Sequence, residues 1–160
     1  MRLHRTISVA HQSVADYYAM SSRKKYEIYV AVHRSEPLDY QKYRHAALYF
    51  KPVGGGATMY FHVVGAALDF ELQKRTSYEN SATLVRLIPV GVTKNAITAE
   101  QLTSLMRNTP IKNDDYEFNC QAWVQKTLEG LAAAGHITNE EYAKGVDDMI
   151  EATMDGTDDP

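Results

Sequence analysis

From Tyr26 the chain alternates. The run YEIYVAVH places Ile28, Val30 and Val32 on one side of an extended segment and Tyr29, Ala31 and His33 on the other, in β-branched and aromatic residues that favour a strand. RHAALYFK and TMYFHVVGA continue in the same style and are joined by KPVGGG, whose glycines take positive φ and reverse the chain, so the pair predicts two antiparallel strands. LDFELQ and ATLVRLIPVGVT supply one or two more, with Pro89 marking an edge or a bend because it has no amide hydrogen for a central ladder. The expectation is an antiparallel sheet of four to five strands.

After residue 95 the period changes to that of a helix. Thr98-Ala-Glu-Gln101 and Thr138-Asn-Glu-Glu141 are capping boxes, which predict helices over 98–107 and 138–152. Between them Cys120, Val124, Thr127, Leu128 and Leu131 recur at helical spacing and mark one buried stripe with the cysteine in its first turn. The fold class that follows is α+β, a sheet packed against C-terminal helices. Residues 26–152 form the domain, residues 1–25 an arm or marginal helix carrying Val9, Ala10, Val14, Tyr17 and Tyr18, and residues 153–160 a disordered acidic tail.

Composition narrows the function classes. With 160 residues, one domain is expected. The 17 basic and 20 acidic side chains nearly balance at −3, which gives no footprint for nucleic acid. Phe61–Leu68, among the longest apolar stretches, is interrupted by His62 and Gly65, and no stretch approaches the roughly 18 residues of a membrane span. A single cysteine cannot form an internal disulfide, and the first residues lack the apolar core of a secretory signal, so a reducing, cytoplasmic setting is expected. The triple glycine at 54–56 reads as a turn, since no Lys-Ser/Thr helix start follows it as in a phosphate loop.

The candidate chemistry centres on Cys120. A thiol at a helix start meets unpaired backbone N–H groups and the positive end of the helix dipole, which favour the thiolate. A cysteine nucleophile needs a base, and His45 in one strand with His62 in the next provides a base and a group to orient it. His33, His45 and His62 could instead make a metal face, with Cys120 as a fourth ligand, if all three rings share one side of the sheet. The structural alternative is a lone buried cysteine and histidines satisfied within the core. Tyr116 and Gln121 are the nearest candidates for an oxyanion or substrate contact.

The order strand-His, strand-polar, helix-start Cys resembles the circularly permuted NlpC-like branch of the papain-like superfamily. Lecithin:retinol acyltransferase-like proteins and PPPDE-type peptidases share that order. RHAALYF is similar to the branch's His-x-x-(hydrophobic)-Tyr strand, FHVVGA to its following strand, and NCQAWV to its Asn-Cys helix start. The stretch from Glu27 to Asp148 also resembles a group of small fungal proteins without an assigned activity. The resemblance implies a permuted papain-like domain and a thiol hydrolase or acyltransferase in which Cys120 attacks a carbonyl, His45 moves the proton and His62 orients His45. It implies no cofactor, no metal and a small-molecule or peptide substrate. The sequence departs from the acyltransferase pattern in Gln-Ala-Trp after the cysteine and in lacking a membrane anchor, which counts against a membrane lipid. A non-catalytic binding module on the same scaffold is the alternative.

Overall fold

A computed structural model describes residues 22–76 and 82–157. The arm expected over residues 7–20 lies outside the described residues. Five strands, β1 (Tyr26–His33), β2 (His45–Pro52), β3 (Met59–Val64), β4 (Glu71–Arg75) and β5 (Leu84–Val92), form one antiparallel sheet in the order β4-β3-β2-β1-β5. Three helices follow, α1 (Ala99–Asn108), α2 (Cys120–Ala133) and α3 (Asn139–Met154). Both capping boxes form, at Thr98 with Gln101 and at Thr138 with Glu141. Pro89 falls on β5, an edge strand, where the register against β1 shifts between Ile28 and Tyr29, so the missing amide hydrogen and the bulge occur together.

Alternation sorts the sheet into two faces. Ile28, Val30 and Val32 of β1, Ala46, Leu48 and Phe50 of β2, and Met59, Phe61 and Val63 of β3 join Leu102, Trp123, Leu128 and Met149 from the helices in the main core. Ala31, Ala47 and Tyr60, with Tyr49 and Leu84 against them, make a smaller cluster on the other face. Burial of the larger core side chains contributes about 1.5–3 kcal/mol each.

Helix α2 is capped at its start by Asn119, whose side chain accepts from the Ala122 amide at 2.9 Å, and is terminated by Gly135 just beyond its last turn. Gly135, at φ +79°, lets its amide reach Ala132 and the His136 amide reach Leu131, the paired bonds of a Schellman stop.

The expected disordered tail is corrected over residues 153–157, while residues 158–160 lie outside the described residues. Thr153 is buried and helical, and Thr157 bridges Tyr40 with a 2.8 Å bond from its amide to the Asp39 carbonyl. Gly156 makes this possible, because a Cβ there would stand 3.1 Å from Arg44 Nε and from the Asp39 carbonyl. Lys24, assigned by pattern to the arm, likewise pairs with Ile97.

Candidate functional site

Strand pairing assembles the imidazoles. His45 opens β2 directly across from His33 at the end of β1, and His62 stands on β3 beside the same stretch of β2. By alternation all three belong to the face of Ala31, Ala47 and Tyr60, away from the helices. The His45 Nε2 and His62 Nδ1 atoms are 2.8 Å apart, a hydrogen bond between the two rings. His33 is held separately, with Nδ1 3.1 Å from Thr83 Oγ1 and Nε2 3.1 Å from the Tyr60 hydroxyl.

Cys120 approaches from the other side. As the first residue of α2 it packs against the main core, and its sulfur meets the backbone on both sides of His45. The Ala46 amide donates to Sγ at 3.5 Å, and Sγ lies 3.8 Å from the Arg44 carbonyl. Among the described residues these main-chain groups are the hydrogen-bond partners of the sulfur. The pair of histidines and the cysteine therefore converge on the first peptides of β2, with the imidazoles hydrogen-bonded to each other and the thiol to the strand.

The electrostatics keep the resting groups neutral. Burial, then the neighbouring His62, His33 and Arg75, push the pKa of His45 down to about 4. Burial and Arg75 push His62 down to about 4 as well, with a contact from Gln73 pulling the other way. Burial also lowers His33. The thiol departs from the expectation of a depressed pKa. Backbone amides at Ala46, Gln121 and Cys120 act in the expected direction, but burial outweighs them and raises it. Cys120 keeps partial exposure as a residue, while its thiol end is enclosed.

The remaining candidates separate. Gln121 is adjacent to the sulfur, and its side-chain amide donates to the Arg44 carbonyl at 3.2 Å. Tyr116 stands in solvent at 77% exposure. The three histidines do share one face, as a metal site requires, yet both nitrogens of His33 bond to hydroxyls, one nitrogen each of His45 and His62 is spent on the other, and Cys120 lies across the sheet. No group of three or more His, Cys, Asp or Glu side chains among the described residues is placed to hold a metal ion.

Two supporting residues escape a reading by motif. Arg44, only 5% exposed, forks onto the Asp39 carboxylate and reaches the Ala152 carbonyl at the end of α3, while its own carbonyl receives Gln121. A charged residue directly before an apolar strand was the available signal. Gln73 stands across from His62 in the β3–β4 ladder, a pairing readable only once the register of that hairpin is known.

No helix among the described residues is long and apolar enough to cross a membrane. Comparison with curated proteins and with solved structures returns no match. The family model that does match runs from residue 25 to residue 151, from just before β1 into the last turn of α3, and it takes in His33, Arg44, His45, His62, Gln73 and Cys120. The chain accordingly belongs to a family of unknown function, DUF6914.

Proposed function

We propose that the protein is a cysteine-dependent acyl hydrolase or acyltransferase, with Cys120 as nucleophile, His45 as general base and His62 as the group that orients it. The observation that carries this reading is the 2.8 Å bond between His45 Nε2 and His62 Nδ1 beside a thiol that lies against the peptide of His45 and Ala46. A base must hold one nitrogen in a fixed bond and keep the other open. Here Nε2 of His45 is engaged, and Nδ1 has no hydrogen-bond partner among the described residues.

With a neutral thiol and a neutral imidazole at rest, the chemistry is general-base attack rather than reaction of a preformed ion pair. The sulfur forms a bond to the substrate carbonyl carbon as its proton passes to His45 Nδ1. That proton leaves with the departing amine, alcohol or thiol, and an acyl-thioester stays on Cys120. Water then releases an acid, or an amine or alcohol takes the acyl group. The transfer requires Cys120 and His45 to turn toward each other at the start of β2, since at rest each is bonded elsewhere. A small-molecule or peptide carbonyl compound is the proposed substrate. The reduced thiol this mechanism needs suits the cytoplasm.

A second reading, a binding module without catalysis, draws on the rise of the Cys120 pKa with burial and on the sulfur's main-chain partners. Intact-mass trapping with 4-nitrophenyl acetate separates the two. The catalytic reading expects an acetyl adduct on Cys120 at neutral pH, absent from Cys120→Ala and formed at least about a hundredfold more slowly in His45→Ala. Equal rates in the His45 variant, or no adduct at all, would favour the binding module.

A further inference from the structure

His62 leaves one problem unsolved. It is 6% exposed, its Nδ1 is joined to His45, and its Nε2 is buried with no hydrogen-bond partner. A buried polar nitrogen in that state is costly, and its neighbours decide what can relieve it. On the same face, β2 offers His45, which is already bonded, and Tyr60 of β3 meets His62 edge-on with ring centroids 5.0 Å apart. From β4, Arg75 has only N–H groups to give, and Gln73 lies directly opposite in the ladder. The Gln73 amide nitrogen is turned toward Glu71 Oε1, a long contact at 3.5 Å, which leaves its carbonyl oxygen for the imidazole.

We propose that Gln73 is a positioning residue whose Oε1 accepts the Nε2–H of His62, holding the His62–His45 pair in the tautomers that leave His45 Nδ1 an unprotonated acceptor. With its hydrogen on Nε2, His62 accepts at Nδ1 from His45 Nε2–H, and His45 Nδ1 is then a free acceptor. With its hydrogen on Nδ1, His62 becomes the donor, His45 carries its own hydrogen on Nδ1, and His45 has no free acceptor left to take a proton. Gln73 selects the first arrangement because its carbonyl can only accept. The contact needs a small turn of a side chain on a short edge strand, and it matches the upward pull that Gln73 exerts on the His62 pKa.

This deepens the reading of the site given above and takes its catalytic meaning from it, but its test does not involve the cysteine. Long-range proton–nitrogen spectra of protein labelled with ¹⁵N-histidine report each ring's tautomer. The native protein at pH 7.5 should show Nε2–H on both His45 and His62. Gln73→Leu should lose that preference at His62. Gln73→Glu, which keeps an acceptor of the same length, should retain it and raise the His62 titration by about one unit or more. An Nδ1–H tautomer for His62 in the native protein, or unchanged tautomers in Gln73→Leu, would overturn the inference. The glutamate variant carries the test alone if the leucine variant does not fold. Failure of acyl trapping with the tautomers as stated would instead strike only the catalytic reading.

Discussion

Lowering the pH should unfold this protein through its imidazoles before its carboxylates. His62 and His45 have folded pKa values near 4 against an ordinary 6.5. The unfolded chain therefore takes up protons on these rings as the pH falls below 6.5, while the native state does not until about 4. Stability drops across that window and levels off beneath it. For His62 alone, the more enclosed of the pair, the loss between pH 7.5 and pH 4.5 is about 2–3 kcal/mol, since each pH unit within the shift costs about 1.4 kcal/mol. His45, which retains some solvent, adds a smaller increment, and His33 shifts in the same direction. The Asp39 carboxyl, held low by its bonds to Arg44, loses its contribution only below this window. Trp123 is fully buried and is the only tryptophan, so its fluorescence follows urea unfolding directly. With a slope of about 2 kcal/mol per molar urea, the midpoint should fall by about 1 M or more between the two pH values. His62→Gln removes one titrating ring and should flatten the dependence. A midpoint that moves by less than about 0.2 M, or an undiminished slope in His62→Gln, would refute the argument that these rings are buried in the neutral form.

Other perturbations read different parts of the structure. Cys120→Ala should leave the unfolding free energy within about 1 kcal/mol, because little volume is lost at a half-buried position; a larger loss by urea titration would identify the thiol as a packing element. Leu128→Ala, which empties a fully buried position where α2 meets the sheet, should cost about 3 kcal/mol in the same titration. Arg44→Met strands the partly buried Asp39 carboxylate and should cost about 2–4 kcal/mol, with faster hydrogen exchange at the Thr157 amide as the local signature.

Local chemistry made most of the elements readable. The two-residue period of YEIYVAVH decides which side chains reach the core whatever lies above the sheet, and Thr98 and Thr138 start helices with partners only three residues away. The closeness of His45 and His62 was within reach for a related reason, since a short glycine turn leaves adjacent strands few registers.

What the chain could not disclose on its own are properties set by distant residues. The thiol's position at a helix start argues for a lowered pKa, yet its enclosure by β2, 74 residues away at Ala46, raises it. The acidic, glycine-containing tail reads as frayed, and its residues Gly156 and Thr157 are held because the close approach to Arg44 and Asp39 exists only after α3 has packed on the sheet. Strand and helix assignments are short-range, governed by sterics and hydrogen bonds within a few residues. Protonation, tautomer and anchoring depend on desolvation and on partners dozens of positions apart, and those are decided only when the chain has folded.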